Sequence, residues 1–270
     1  MKTSCFLVPV HPPKFDFAER LLESYAEYFD DDHVFLVFTN GDDCKAFEQK
    51  YPELKYQSII CGLDIINGTN VINVKKLYGI KWIFDNTEFL QIGVIDADSL
   101  FFRYMDYNQK FVNYLLNRKI YGHTVDKNGF MSSNIESCVR YFDDKYKGFI
   151  EKETRNYNVF FWFNDVPVYQ KQSFLEFCEY VKMEKIYRDI KWHDFDYIFY
   201  AYFLMVKGYM NLEVLNYHIP FSDGSFIELQ KRIPVDLFRE HYNIMNPMWI
   251  FDPIDTVDMK NTFMLVHIDR

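Results

Sequence analysis

The first 95 residues alternate between short apolar runs and stretches with helical spacing, and this alternation constrains the fold more than any other feature of the sequence. The apolar runs are Cys5–Val10, Val34–Phe38, Tyr56–Cys61 and Gln91–Ile95. Strands buried on both faces appear as such runs, whereas amphipathic helices repeat apolar residues at the helical period. Alternation at this spacing is typical of a mostly parallel, twisted sheet with helices on both faces. We therefore predict an α/β fold in which ligands bind beyond the carboxyl ends of the strands.

Helices are predicted between these strands, over residues 18–29, 44–51 and 70–84. In the third helix, Val71, Val74, Leu77 and Tyr78 are predicted to face the sheet. Beyond residue 103 the pattern loosens into mixed helical and strand signals. Because no linker rich in Gly, Ser or Pro divides the chain, we expect one compact unit.

Composition and charge exclude several classes of protein. The formal net charge of −9 and the isoelectric point near 5.3 argue against a nucleic-acid partner, because contacts to phosphates need clustered Lys and Arg. No segment approaches the roughly 20 apolar residues of a transmembrane helix, and the N-terminus does not match a signal peptide. We therefore predict no transmembrane segment and a location in the cytoplasm or at the periphery of the inner membrane. The five cysteines lack a C-x-x-C pair, which favours reduced thiols.

The segment Asp96-Ala97-Asp98 is the strongest indication of chemistry, because it directly follows the fourth apolar run and is separated by Ser99 alone from another, over 100–102. Carboxylates one residue apart at the end of a buried strand can reach the same cation. Mg²⁺ and Mn²⁺ are commonly held by one or two carboxylates together with substrate phosphates. We therefore predict that Asp96 and Asp98 bind Mn²⁺ or Mg²⁺. The alternative, a solvated acidic loop, is disfavoured by the apolar neighbours.

The order of these parts resembles the nucleotide-sugar-dependent glycosyltransferases of the GT-A fold. The resemblance rests on a strand, a helix, a strand ending at Thr39-Asn40, a helix with Lys75-Lys76, and the strand end V-I-D-A-D-S. It implies one GT-A domain over 1–270, with a nucleotide-sugar-binding half (1–105) and an acceptor-binding half (106–270). It also implies a UDP-sugar or similar donor, a glycan or lipid-linked glycan acceptor, and metal-dependent transfer of a hexose or related sugar, as in bacterial polysaccharide assembly.

By the same resemblance, the loops after the first two strands line the pocket for the base and the ribose of the donor. The residues concerned are Pro9, Val10, His11, Thr39 and Asn40. His11 stands beside two prolines and can equally be a turn residue.

The resemblance also assigns residues to the phosphates and the metal. The whole segment 96–98 is expected to contact the donor, and Lys76 is expected to approach its phosphates, although a lysine on a helix is more often solvated. Some GT-A enzymes complete the metal shell with a histidine near the chain end, a position that His267 fits and for which His218 is the weaker substitute. A lone histidine on an apolar strand is otherwise usually structural.

Three carboxylates are candidates for the catalytic base. In GT-A enzymes an acidic residue that opens a late helix beside the acceptor often serves as base, so Asp194 or Asp196 is the leading candidate by resemblance. Asp194 is alternatively well placed to cap that helix. Asp165 is the rival, and Trp162 and Asn164 next to it suit either sugar recognition or core packing.

Other functional classes fit the sequence less well. A nucleotidyltransferase usually carries a Gly-rich phosphate loop after the first strand, but here that loop is His11-Pro12-Pro13-Lys14. The same loop argues against a P-loop NTPase, and no G-x-S-x-G motif is present for hydrolase chemistry. A nucleotidyltransferase and a non-catalytic carbohydrate-binding protein on the same fold are the alternatives to glycosyl transfer.

Overall fold

The computed structural model describes residues 3–64, 71–101, 104, 106–125, 130–160, 167–219 and 265–267. The strands are β1 (Ser4–Pro9), β2 (Val34–Phe38), β3 (Gln57–Ile60), β4 (Gln91–Val94), β5 (Ser99–Phe101), β6 (Lys119–Val125), β7 (Val159–Phe160), β8 (Val168–Gln170), β9 (Asn211–Ile219) and β10 (Leu265–His267). The helices are α1 (Phe15–Tyr28), α2 (Gly41–Lys50), α3 (Val71–Asn86), α4 (Tyr107–Asn117), α5 (Phe130–Val139), α6 (Asp144–Glu153), α7 (Lys171–Val181), α8 (Met183–Ile186) and α9 (Asp196–Val206). A short 3-10 turn, Pro12–Lys14, precedes α1.

A central sheet in the order β3-β2-β1-β4-β8 confirms the predicted α/β class. Strands β1 to β4 are parallel, and β8 is antiparallel at the edge. Strands β2 and β3 lie on one side of β1 and strand β4 on the other, so the chain reverses direction across the sheet at β1. The crevice beyond the carboxyl ends of β1 and β4 is therefore the topological switch point, which is where open α/β sheets bind their ligands.

The first four strands and the first three helices agree closely with the sequence prediction. Strand β2 has the predicted bounds, and the start of α1 differs by three residues, at 15 rather than 18. Agreement is best for β2 because all its residues are buried, so the apolar run and the strand coincide.

Alternate residues of the central strands enter two separate cores, one on each face of the sheet. Cys5 and Leu7 of β1 pack in the core that contains α3, α7 and α9, whereas Phe6 and Val8 pack in the core formed with α1, α2 and α4. This is the period of two that an extended strand imposes on its side chains. Helices therefore cover both faces, and only the ends of the strands are left for a ligand.

Helix α9 is apolar around its whole circumference, and nine of its 11 residues are buried. A helix of this kind lies inside a core, and α9 packs against α5, α6 and α7. None of the helices in the described ranges combines the length and the apolar character that crossing a bilayer requires.

The start of α9 corrects one sequence interpretation. The helix begins at Asp196 with Phe195 as its N-cap, and no side chain caps it. The interpretation of Asp194 as the cap is therefore wrong. Instead, the Asp194 carboxylate accepts a hydrogen bond from the backbone N–H of Lys191 at 2.7 Å, which closes a turn before the helix begins.

Helix α3 packs directly on β1 and β2 at Gly79, which faces the sheet. A Cβ atom at this position would lie 2.6 Å from Leu7 Cδ1 and 2.7 Å from Val37 Cγ2. Both neighbours are fully buried, so they have little room to move. Gly79 therefore sets how α3 sits on the sheet, and one helical turn earlier the same helix carries Lys75 and Lys76.

We predict that Gly79→Ala destabilises the fold. Overpacking in a dense core costs about 1–3 kcal/mol, and the better helix propensity of alanine, worth about 1 kcal/mol, offsets only part of it. The measurement is the free energy of unfolding in urea, with Gly148→Ala as the matched control. Gly148 is an exposed position in α6 with no atom within 4 Å of an added Cβ, so this variant should gain about 0.5–1 kcal/mol. Equal stabilisation by both variants would contradict the close packing of α3.

Candidate functional site

The turn that carries the carboxylate pair is fixed by the core at both of its ends. On one side it follows β4, which pairs with β1. On the other side the ring of Phe101 in β5 packs against Phe6 and Tyr25, with centroids 5.3 and 5.2 Å apart. The Phe101 N–H also donates to Ser24 Oγ at 3.0 Å. Residues 96–98 are therefore held at the switch point of the sheet, with the Ala97 side chain in the core.

Both carboxylates of the pair lie against lysines from other elements. Lys76 Nζ of α3 is 3.0 Å from Asp96 Oδ1, and Lys14 Nζ, in the turn after β1, is 3.1 Å from Asp98 Oδ2. The Asp96 side chain is 43% exposed and that of Asp98 only 12%, so Asp96 is the more accessible of the two. Lys76 also lies 3.9 Å from Oδ1 of Asp196, the first residue of α9. Two lysines thus join three carboxylates at one edge of the sheet.

Burial and charge act in opposite directions on this cluster. Burial opposes the charge of Lys76, but the carboxylates of Asp96 and Asp196 outweigh it and raise the pKa of Lys76 above its ordinary value. Burial raises the pKa of Asp196, and Lys76 together with a hydrogen bond from the Tyr169 hydroxyl offsets part of that increase. Lys76 is therefore held in the cluster as a cation, which argues against the alternative of a solvated helical lysine.

Asp194 belongs to a separate, fully satisfied network. Its carboxylate is completely buried and accepts hydrogen bonds from Ser137 Oγ at 2.6 Å and from the Tyr141 hydroxyl at 2.9 Å. It also forms an ion pair with Arg140 at 2.5 Å. All these partners come from α5 or from the residues just after it. The structure thus brings Asp196 into the cluster with Lys76 and Asp96, whereas Asp194 ties α5 to the segment before α9.

The residues predicted to line the base pocket are neighbours at the carboxyl ends of two adjacent parallel strands. Val10 follows β1 and is fully buried, whereas Asn40 follows β2 and is exposed. Asn40 caps α2, because its side chain accepts from the backbone N–H of residue 43 at 2.8 Å. Burial, together with the charges of Lys75 and Lys14, lowers the pKa of His11. Pro9, the last residue of β1, and Thr39 complete this group.

Lys75 is a buried cation in the same region, and it was not predicted as a site residue. Only 1% of it is exposed, and its Nζ donates to the Val10 carbonyl at 2.5 Å. Burial lowers the pKa of Lys75 to about 8, with partial compensation from Asp43 and Cys61. The sequence did contain a signal: Lys75 lies four residues after Val71 and three before Tyr78, on the stripe predicted to face the sheet.

Several predicted residues lie at the edge of the described structure or outside it. Strand β10 runs antiparallel to β5, and His267 pairs with Ser99, the residue after Asp98. This register brings the backbone of His267 next to the carboxylate pair. His218 lies in a different sheet, opposite Thr124 of β6. Outside the described residues lie Asp165, Trp162 and Asn164.

The carboxylate oxygens of Asp96 and Asp98 are ligands of the kind that suits a hard divalent cation accompanied by a diphosphate. Within the described ranges, no group of three or more His, Cys, Asp or Glu side chains is arranged to hold a metal ion. Two carboxylates alone form a weak site, but Mg²⁺ and Mn²⁺ typically complete their shells with substrate phosphates and water. Asp96 and Asp98 can supply the protein part of such a shell.

Comparisons with known proteins do not identify a family for this chain. No protein-family model matches the sequence, and no curated protein sequence matches it significantly. Among solved structures, the chain is similar to mannose-1-phosphate geranyltransferase from Thermus thermophilus, with a TM-score of 0.37 and 11% identity over 80% of this chain and 74% of the other. It is also similar to mouse xyloside xylosyltransferase 1 in its apo form, with a TM-score of 0.40 and 10% identity over 98% and 97%. At these values neither likeness bears on activity.

We predict that Lys75→Met changes how stability depends on pH. The unfolded chain binds the Lys75 proton up to about pH 10.4, whereas the folded chain releases it near pH 8, so the free energy of unfolding of the wild type rises across this window by up to about 1.4 kcal/mol per pH unit. The variant should lack this contribution and be the more stable protein at pH 7. The measurement is urea unfolding of both proteins between pH 7 and 10. Parallel curves would contradict the burial of an unpaired ammonium group.

We predict that Asp194→Asn lowers the free energy of unfolding by about 2–4 kcal/mol, because it leaves Arg140 and the other donors around a buried carboxylate without a charged acceptor. Asp144→Asn is the control, since the Asp144 side chain is 97% exposed and its ion pair with Lys147 should contribute nothing measurable. Thermal and urea unfolding check both. An Asp194→Asn protein as stable as the control would contradict the structural role of this network.

Proposed function

We propose that the chain is a metal-dependent glycosyltransferase that moves a sugar from a nucleotide-diphosphate donor, with a UDP-sugar as the expected donor, to a hydroxyl group of a glycan or lipid-linked glycan. The observation that carries the proposal is the cluster of Asp96, Asp98, Asp196, Lys14 and Lys76 at the switch point of the sheet. A site with this topology suits a nucleotide, and its mixture of carboxylates and lysines suits a metal–diphosphate complex.

The proposed donor site uses both ends of the crevice. The base and ribose would lie against the loops after β1 and β2, at Val10, His11 and Asn40, and the diphosphate would lie towards Asp96 and Asp98. Mn²⁺ or Mg²⁺ bound by these two carboxylates supplies the charge that neutralises the departing diphosphate.

Lys14 and Lys76 are proposed to contact the diphosphate. Each now neutralises a carboxylate at about 3 Å. With a divalent cation held by Asp96 and Asp98, the ammonium groups of Lys14 and Lys76 would be released from these carboxylates and could turn towards phosphate oxygens. Lys76 is the better placed of the two, because burial keeps it rigid and its charge is secured by Asp96 and Asp196. Charge that is fixed in advance stabilises a developing anion without reorganisation.

Asp196 is the proposed base. Its raised pKa makes it a stronger proton acceptor than an ordinary carboxylate, and it lies beside Lys76 at the centre of the cluster. In the proposed step the acceptor hydroxyl forms a bond to the anomeric carbon, the bond from that carbon to the phosphate oxygen breaks, and the hydroxyl proton passes to Asp196. Asp194 has no capacity for this role while its network is intact, and Asp165 is the rival base.

The turn after β1 argues against the rival nucleotidyltransferase. Pro12 and Pro13 have no backbone N–H, and the backbone N–H of Lys14 already donates to the His11 carbonyl at 2.8 Å. This turn therefore lacks the row of free amides with which a Gly-rich loop binds phosphates. A non-catalytic binding protein on the same fold is distinguished by the absence of turnover.

We predict that the wild-type protein either hydrolyses at least one sugar nucleotide or transfers the sugar from it in the presence of Mn²⁺ or Mg²⁺. The double variant Asp96→Asn, Asp98→Asn should lower kcat at least about 100-fold. Donors are first screened by thermal stabilisation with and without the metal, since a ligand that binds the native state raises its apparent stability. Release of the nucleoside diphosphate is then measured for the best donor. Asp196→Asn should lower kcat by a similar factor.

The control for these variants is Asp144→Asn, an equally conservative change of an exposed carboxylate far from the cluster in sequence. Its turnover should equal that of the wild type. Turnover that persists in the double variant, or that does not depend on a divalent metal, would contradict the metal assignment. A wild type that is stabilised by a sugar nucleotide but never releases the diphosphate would support the non-catalytic alternative.

A further inference from the structure

Lys75 is a fully buried ammonium group whose charge has little compensation. Its Nζ carries three protons, and the Val10 carbonyl accepts a hydrogen bond from it at 2.5 Å. Among the described residues, no carboxylate lies within ion-pair distance of this atom. Lysine is almost never fully buried unless it is paired. The neighbouring Lys76, in contrast, has two carboxylates within 4 Å.

The groups around Lys75 belong to three loops at the carboxyl edge of the sheet. Val10 and His11 follow β1, Asp43 lies in the first turn of α2 after β2, and Cys61 follows β3. The negative charge of Asp43 acts on Lys75, and the charge of Lys75 acts on His11. Lys75 thus lies beneath the loops that form the proposed base and ribose pocket.

We propose that Lys75 is a positioning residue for the bound nucleotide: its buried ammonium group holds the Val10 carbonyl, which orients the turn beginning at His11, and its charge, which no described carboxylate pairs with, makes nucleotide binding take up a proton. The inference rests on the proposed function, because it needs a nucleotide in this pocket. It assigns to Lys75 a role in binding, and it does not require contact with the reacting atoms.

The proton linkage follows from the geometry. A bound nucleoside diphosphate adds negative charge to the crevice whose base and ribose end lies above Lys75. Because no carboxylate of the described residues pairs with Lys75, that added charge favours its protonated form in the bound state. His11 and Cys61, which also lie around Lys75, titrate outside the relevant window. The pKa of His11 is lowered from its ordinary value, and burial raises the pKa of Cys61 to about 11. With its own pKa at about 8, Lys75 titrates between them.

The order of these pKa values determines how nucleotide affinity depends on pH. Below about pH 7 Lys75 is protonated with or without nucleotide, so its charge adds no pH dependence. Above pH 8 the free protein has lost the proton, and binding must restore it. Nucleotide affinity should therefore fall above pH 8, by up to about tenfold per pH unit.

The test is isothermal titration of the full chain with the diphosphates of uridine, guanosine, cytidine and thymidine in the presence of Mn²⁺, between pH 7 and 9.5. The tightest of the four is then titrated in buffers with different ionisation enthalpies, which gives the number of protons taken up. The variants are Lys75→Met, which removes the charge at similar size, and Lys75→Arg, which keeps a charge that does not titrate. Lys81→Met is the matched control, because Lys81 lies on the same helix but pairs with Asp85.

We predict that the wild type and Lys81→Met take up protons on binding near pH 8 and lose affinity above it. Lys75→Met should bind about tenfold more weakly at pH 7, with no proton uptake and no further loss up to pH 9.5. Lys75→Arg should retain most of the affinity at pH 7 and should also lose the pH dependence. A purely structural lysine would change affinity without changing proton uptake.

Each outcome bears on a different statement. If the wild type binds a nucleotide without proton uptake near pH 8, the inference is wrong even if Lys75→Met fails to fold, while the proposed function stands. The same holds if Lys75→Met keeps the wild-type affinity and pH dependence. If none of the four diphosphates binds the wild type, the proposed function and this inference both fail.

Discussion

Neutralisation of charge at the carboxyl edge of the parallel sheet is the constraint on which the candidate site depends. Asp96, Asp98 and Asp196 converge there, and without counter-charges they would repel one another in a partly buried setting. Lys14 and Lys76 supply those charges from two different elements. Such a site does not favour a free anion, because the lysines are occupied, or a free cation, because the carboxylates are occupied. A metal–diphosphate complex brings both charges at once and can exchange with the internal ion pairs.

Core packing decides where these charges lie. Helix α3 approaches the sheet at Gly79, and this contact sets the helix against Leu7 of β1 and Val37 of β2. One turn earlier, Lys75 and Lys76 differ by about 100° around the helix axis, so one faces the end of β1 and the other the carboxylates after β4. Lys75 and Lys76 therefore lie on opposite sides of the switch point, and the close packing at Gly79 fixes the helix that carries them. A shift of α3 would displace both at once.

The sequence predicts the strands better than the partners of charged side chains, for a physical reason. An apolar run such as 34–38 determines its own burial, and the order of runs along the chain determines a parallel sheet. The position of Asp194 instead depends on Arg140, which lies 54 residues away in the sequence. Asp194 and Asp196 look equivalent in the sequence, yet a turn closed on the Lys191 N–H directs Asp194 away from the cluster. No local rule contains that information, because capping propensity is a local preference that tertiary contacts override.

Lys75 and Lys76 are adjacent in α3 and largely buried, but their charges are compensated to different extents. Burying an ammonium group is costly, and the cost is met when carboxylates lie close, as Asp96 and Asp196 do for Lys76. For Lys75 the described surroundings offer a carbonyl oxygen and more distant charges, and the consequence is the pKa of about 8. Lys76 is thus neutralised by carboxylates, whereas the charge of Lys75 is only weakly compensated, so a local demand for negative charge, in the sense of an incompletely neutralised cation, remains at Lys75. That demand lies beneath the loops after β1 and β2, on the side of the crevice opposite the proposed metal ligands Asp96 and Asp98, so an anionic ligand that spans the crevice would meet a counter-charge at each end.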